Sequence, residues 1–272
     1  MDMECFVENI VTDKQVTSDI RELIPDAGLR RRMSRILKSG VMTAIECAGG
    51  TDGIDGMDAI ITATGLGCLA DSERFLRNMI ADSEQLLNPA PFIQSTFNTA
   101  GGQIAMLRHN HCYNVTYVNR DCGFEDALLD ALMRMADSQS RRVLVGAFDE
   151  QTPSQYRIME RMGFWRHGTC REGSVFTTLT AMPTDSAIAE LSCMDFLSGP
   201  ITEENCMKRY SGGDDAVLLT NDMEDVGLFP VVPARLFAEG VRKIAEGAER
   251  VIIYDRHGGD RQTVMVLKCI GH

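Results

Sequence analysis

Short apolar runs alternate with helical stretches through the first 150 residues, and this alternation most constrains the fold. Ala59 to Ala63 and Val143-Leu144-Val145-Gly146 read as strands buried on both faces. Val115-Thr116-Tyr117-Val118 is a β-rich strand between them. Between the strands, apolar residues recur at spacings of three and four. Residues 19–48 carry Met33, Ile36, Leu37, Val41, Ala44 and Ile45 in this way, and 124–135 carry Ala127, Leu128, Ala131, Leu132 and Met135. Further helices are expected over 72–86 and 98–108, with Pro89 and Pro91 breaking the first. Strand and helix in alternation predict layered α/β architecture. Beyond residue 150, strands are expected near 174–181, 216–220, 250–254 and 263–269, with a helix over 234–247. Residues 183–215 are rich in turn formers and read as a surface connection. No exact internal repeat is visible.

Charge and cysteine usage restrict the partners. Lys and Arg number 27 against 39 Asp and Glu, a formal charge of −12, so a nucleic-acid backbone is an unexpected partner. No apolar run reaches the ~20 residues of a membrane span, and the start, MDMECFVENI, lacks a basic-then-apolar leader pattern. Nine scattered Cys without a C-x-x-C pair fit neither a disulfide framework nor a zinc ribbon. A soluble, cytoplasmic protein without metal or cofactor is the expectation.

Four local patterns carry possible chemistry. Gly65-Leu66-Gly67-Cys68-Leu69-Ala70 follows a strand and opens a helix, as in a dinucleotide-binding turn. An acidic strand end ~20 residues on is missing, because Glu84 leads into Asn88-Pro89-Ala90-Pro91. The alternative is that the glycines only let a strand turn tightly into a helix. His109-Asn110-His111-Cys112 resembles a metal cluster but lacks a completing set of ligands, so a polar loop is the alternative. Arg30, Arg31, Arg32, Arg35 and Lys38 form either a docking face for an acidic carrier protein or a solvated helix face. Cys122 stands at a helix start, where the dipole acidifies a thiol. Asp121, Glu125 and Asp126 oppose that effect by placing negative charge beside it.

Taken in order, these segments resemble the N-terminal half of β-ketoacyl synthases, the thiolase-fold condensing enzymes, and in particular the short bacterial proteins of the β-ketoacyl synthase-like N-terminal domain group. The segment from Arg31 through Ala48 is similar to the family's first helix. Ala59 to Gly67 is similar to its strand ending in G-T-G-x-G. Asn88 to Leu107, with Ala100-Gly101-Gly102-Gln103-Ile104-Ala105, looks like its N-x-x-x-G-x-I-A helix. Val143 to Glu150 resembles its V-x-x-G-G-x-E-E strand. The resemblance covers about residues 28–150 and continues weakly to the end.

The resemblance implies a thiolase-like layered α/β/α/β/α fold with an abbreviated C-terminal half. Residues 1–165 would form the N-terminal half and 166–272 the shortened C-terminal half of one compact unit. It also implies a dimer pairing through the strand at about 114–119. The family's nucleophilic Cys sits seven residues after the Asn or Ser opening its strand and seven before an aliphatic helix residue. Counting from Asn114 and from Leu128 both give Asp121, not Cys122. One residue of shift on a helix turns a side chain by ~100°, so only a later helix start would bring Cys122 into that place. Of the family's two histidines, the first would fall near Thr220-Asn221-Asp222 and the second at Leu228. Arg256-His257-Gly258-Gly259 is similar to the G-F-G-G loop that helps build the oxyanion hole, with His257 as a weak stand-in for a lost histidine.

Three functions follow as expectations. The first is a non-condensing homologue in fatty-acid, polyketide or aryl-polyene type lipid biosynthesis, similar to a chain-length factor or binding an acyl carrier protein. The second is an active 3-oxoacyl-[acyl-carrier-protein] synthase, an acyltransferase catalysing decarboxylating condensation, with Cys122, Asp121 and His257 as catalytic candidates and Gly258 and Gly259 lining the oxyanion loop. The third is a nucleotide-dependent oxidoreductase resting on Gly65 and Gly67. Partners implied by the first two are an acyl carrier protein or acyl thioester, and either a second copy or a full-length synthase.

Overall fold

A computed structural model describes residues 5–85, 87–120, 122–163, 172–213, 215–221, 229–256 and 261–271. The chain opens with strand β1 (Cys5–Thr12), which the sequence pattern had hidden. Glu8 and Asn9 interrupt its apolar alternation where the pairing register shifts between Val7 and Asn9. The helix expected over 19–48 is three helices, α1 (Ile20–Leu23), α2 (Ala27–Arg32) and α3 (Arg35–Cys47). Pro25 restricts Ile24 before it, and Met33 and Ser34 are extended. α3 buries Ile36, Leu37, Val41, Ala44 and Ile45, the stripe read from the sequence.

Strand β2 (Ala59–Ala63) leads through the glycine turn into α4 (Leu69–Ala81). Pro89 does not merely break a helix; it begins α5 (Pro89–Gln94), with the Asn88 side chain accepting from the Ala90 amide at 3.0 Å. A proline at the first helical position loses no hydrogen bond. Then follow α6 (Thr99–Met106), β3 (Tyr113–Tyr117), α7 (Gly123–Ala136), β4 (Arg142–Asp149), α8 (Pro153–Arg161) and β5 (Gly173–Thr180). The stretch expected as a bare connection over 183–215 contains strand β6 (Ala189–Leu197) and helix α9 (Glu203–Tyr210). α9 buries only Cys206 and Tyr210, too few anchors to show as a periodic stripe. The chain closes with β7 (Ala216–Thr220), α10 (Val231–Ala245), β8 (Arg250–Arg256) and β9 (Gln262–Lys268).

The strands join in the order β3-β2-β4-β5-β1-β6-β9-β8-β7. β2 runs parallel to β3 and β4, and β7 parallel to β8, while the remaining neighbours are antiparallel. This order conceals a duplication. The path β1-α3-β2, α7, β4, β5 is repeated as β6-α9-β7, α10, β8, β9, with the same neighbours and directions. The second copy has no counterpart of β3 among the described residues. Sequence identity between the copies is confined to traces such as Arg142-Val143 and Arg250-Val251, each opening the equivalent strand.

Alternation along the strands sorts the layers. Ile61 and Ala63 of β2, Val145 of β4, Ile253 of β8 and Met265 of β9 face one core shared with α7 and α10. Ile60, Leu144 and Phe148 face the opposite way, onto α3 and α6. Ile252, Tyr254, Val264 and Val266 face α9. The molecule is thus layered helix, sheet, helix, sheet, helix, as the resemblance implied. The central helices touch through Phe124 and Phe237, whose rings meet edge to face at 5.8 Å.

Candidate active site where two helix N-termini meet

Ligands of α/β proteins sit beyond the carboxyl ends of parallel strands. Here those ends deliver α7 and α10 head to head. A Cβ on Gly123, the first residue of α7, would lie 2.8 Å from Pro230, which caps α10, and 3.7 Å from the Ala63 Cβ. Glycine is required because the two helix starts approach this closely.

Cys122 is the N-cap of α7 and only 1% exposed. Burial first, then Glu125, push its thiol up to about 12, with Asp126 and Asp255 adding to the rise and Arg261 drawing it down. The neighbouring acids act as the sequence suggested, but desolvation outweighs them. Asp121, the other nucleophile candidate, lies outside the described residues. So do His257, Gly258 and Gly259, as well as Asp222 and Leu228 at the expected histidine positions. His109 and His111 precede β3, whereas Cys122 follows it. A strand of this length separates its ends by roughly 16 Å, so neither imidazole serves the thiol.

Four buried carboxyl groups frame the site. Asp149 ends β4 and accepts from the Gly65 amide at 2.8 Å, the Thr64 hydroxyl at 3.1 Å and the Val231 amide at 2.9 Å. One side chain thereby ties the β2 turn to the first residue of α10. Burial holds its carboxyl up at about 7 against those hydrogen bonds. Glu150 accepts from the Ala70 amide at 2.9 Å at the start of α4, and burial raises its pKa as well. Glu125, in the first turn of α7, and Asp255, on β8, are fully buried; burial lifts the Glu125 carboxyl to about 7, and Asp255 acts to draw it back down. At the rim, Arg261 donates to Asp126 at 2.6 Å and lies over the Phe196 ring, while Asn119 donates to the other Asp126 oxygen at 2.8 Å.

The remaining candidate patterns take structural roles. Gly67 has a φ of +65°, and a Cβ there would meet the Phe97 ring at 2.8 Å; with Gly65 bonded to Asp149, the motif is a turn fixed by its own protein. Asn110 knits the loop around His109 and His111 by donating to the carbonyls of Ile54 and Met57. Among the described residues no cluster of His, Cys, Asp and Glu could hold a metal. Within the basic run, Arg35 forms a two-pronged pair with Glu172 at 2.8 and 2.5 Å, and Arg30 donates to the carbonyls of Ile24 and Pro25. Arg31 and Arg32 are exposed. No described helix is long and apolar enough to cross a membrane.

Sequence reasoning missed the burial of Glu125 and Asp255, although a signal existed. Glu125 lies three before Leu128 and seven before Leu132, on the apolar stripe of α7, and Asp255 continues the inward alternation of Val251 and Ile253.

Two mirrored strand-helix units facing each other across a central helix pair, with a cysteine at the start of one central helix, define the thiolase-like condensing-enzyme fold. Comparison with known proteins agrees. The profile of the family "Beta-ketoacyl synthase, N-terminal domain" matches residues 10–178, and the chain belongs to that family. No curated protein matches the sequence significantly. Among solved structures, similarity extends to a chain of the AntDE:AntF complex, described as a type II PKS acyl-carrier protein with its ketosynthase bound to the hexaketide. It is 13% identical over 99% of this chain and 100% of that one, with a TM-score of 0.77. The ishigamide ketosynthase/chain length factor is 14% identical over 93% of this chain and 86% of its own, with a TM-score of 0.67. A β-ketoacyl synthase from Burkholderia phymatum STM815 is 10% identical over all of both chains, with a TM-score of 0.63. At such identities these likenesses establish the shared fold.

Proposed function

We propose that this chain is a non-condensing member of the ketosynthase and chain-length-factor superfamily of fatty-acid and polyketide biosynthesis, working in the cytoplasm beside an active synthase or a carrier protein. The observation that carries this reading is the state of Cys122. The thiolate is the nucleophile, and Cys122 is only 1% exposed, with burial first and then Glu125 pushing its thiol up, away from ionisation. Residues 1–165 and 166–272 act in this reading as the two halves of one unit.

The edge of the sheet supports a pairing role. β3 carries no charged residue, and among the described residues no strand lies beyond it. Natural edges are commonly guarded by charge or proline. Here Tyr113, Val118, Met106 and Met133 are exposed on or around the strand. A strand without charge of its own, with apolar side chains around it and Arg134 and Asp130 engaged by Tyr113, suits strand pairing across a dimer axis. Two fold relatives have names that join a ketosynthase to a chain length factor, the second from Xenorhabdus doucetiae at 14% identity and a TM-score of 0.58.

An active synthase using Cys122 is the second reading, favoured by the helix N-terminus and by Arg261, which draws the thiol down. One experiment separates the two. The purified chain is incubated with acyl and malonyl carrier-protein thioesters, and its intact mass and Cys122 peptide are followed; in parallel it is co-expressed with a full-length synthase from the same genome. The proposal expects no adduct and a stable mixed dimer. Acylation of Cys122 with release of a condensed product overturns it.

A further inference from the structure

A hollow of about 480 Å³ that Cys122 does not line opens where the end of β1, the start of α3, the start of β5 and α10 meet. Its size suits a small-molecule ligand. The walls are charged. Lys14, Arg35 and Arg235 face Asp13 and Glu172, and Ile36 is the one large apolar side chain of the lining. A hydrocarbon ligand would bury little apolar surface there.

The acids of the lining are already engaged, whereas two of its bases have donors to spare. Both Glu172 carboxyl oxygens accept from Arg35, at 2.8 and 2.5 Å, and the second also accepts from the Gln151 amide at 3.2 Å. Arg35 has Glu150 at 3.9 Å as well, but Glu150 is outside the lining and accepts from the Ala70 amide. Arg235 uses a single nitrogen. Its Nη2 donates to Asp13 at 3.4 Å and to the Glu172 carbonyl at 2.6 Å. A guanidinium carries five N–H donors, and Arg235 Nε and Nη1 have no acceptor among the described residues. The Lys14 ammonium is exposed and has neither an ion pair nor a hydrogen bond among them.

Gly173 fixes the geometry. Its φ is +137°, and a Cβ there would collide with Arg235 Nη2 and Asp13 Oδ2. The missing side chain lets the guanidinium and its acid pack against the β5 backbone, where each is only a quarter exposed. The guanidinium is thereby held at the wall instead of swinging freely in solvent.

The chain carries a formal charge of −12, so a hollow with three cations against two engaged acids is a local exception, and it favours an anion. An ammonium and a guanidinium reaching it from different segments suit an oxyanion with several acceptor oxygens. We propose that this hollow binds the phosphate group of a small hydrophilic ligand, with Lys14 and the uncommitted nitrogens of Arg235 as donors. The site is independent of the chemistry at Cys122.

Calorimetric titration of the full chain, at an ionic strength held constant with chloride, tests this. Inorganic phosphate and glycerol 3-phosphate are the probes, and glycerol is the blank. Saturable binding of one phosphate per chain is expected. Tighter binding of glycerol 3-phosphate identifies a phosphate ester as the ligand, and equal or tighter binding of inorganic phosphate identifies the free ion. K14M is expected to weaken binding about tenfold, and K14R to restore it. K208M, which removes an exposed lysine from α9, is expected to leave it unchanged. Lys14 and Lys208 are both exposed, so these variants keep the fold. Failure of both probes to saturate by about 10 mM, or K14M binding as tightly as wild type, overturns the proposal.

Discussion

The close approach of the two helix starts can be tested by one atom group. In Gly123→Ala, the new Cβ would stand 2.8 Å from Pro230 Cγ and 3.4 Å from Pro230 Cβ. Two effects compete. Alanine is favoured over glycine inside a helix by roughly 0.5–1 kcal/mol, but at the first helical position only part of that is realised. Against it stands overpacking of a buried contact, typically ~1–3 kcal/mol. Pro230 cannot swing away, because its ring is closed and its backbone caps α10. Ala63, at 3.7 Å on the other side, leaves α7 little room to retreat.

Clash should therefore win, with a net loss of about 1–2 kcal/mol. Urea unfolding of wild type, G123A, P230A and the double variant at one pH makes the measurement. Removing the proline ring relieves the contact, so the double variant should be less destabilised than the sum of the singles by about 1–2 kcal/mol. A G123A midpoint at or above wild type, or strict additivity in the cycle, would falsify the head-to-head packing on which the site description rests.

Two further outcomes follow from the buried carboxyl and the glycine of β4. Asp149 is raised from 3.8 to about 7, so its contribution is complete below about 3.8 and is lost as pH rises through 7; wild type should lose ground to D149N in urea midpoint between pH 4 and 7, and a constant difference refutes this. Gly146 lies opposite Phe176 in the ladder, and a Cβ there would meet the ring at 2.2 Å. Gly146→Ala should cost about 1–3 kcal/mol or more, and Phe176→Leu in the same chain should recover part of it; equal stability of G146A and wild type in thermal unfolding counts against the contact.

What the sequence disclosed depended on whether the signal was local. β2 and β7 are read at 59–63 and 216–220, as observed, and α7 falls within one residue of its expected ends. In β2 every residue is buried, and a continuous apolar run is then visible without knowing its neighbours. β1 was lost because its polar residues sit at a register shift that only the partner strand β5 explains. β6 and α9 were lost because their residues are mostly half-buried, one as a strand between β1 and β9 and the other as a two-anchor helix. The site divides in the same way. Cys122 and its neighbouring acids are adjacent in sequence, so their opposition was legible. Asp149 reaching Val231 joins residues more than 80 positions apart, and only the folded chain brings them together.

The start of α7 shows which demand shaped it. A helix beginning is stabilised by acids in its first turn, and Glu125 and Asp126 stand there. A nucleophilic thiol at the same place needs the opposite, a positive surrounding and access to substrate. Asp126 satisfies the first demand from the rim, where Arg261 and Asn119 hold it. Glu125 satisfies neither well. Its burial costs desolvation, which its own raised pKa records, and its charge raises the thiol beside it. Against that burial, Asp255 of β8 acts to draw the Glu125 carboxyl back down. Catalysis at Cys122 would be served by removing Glu125, because its negative charge beside the thiol disfavours the thiolate.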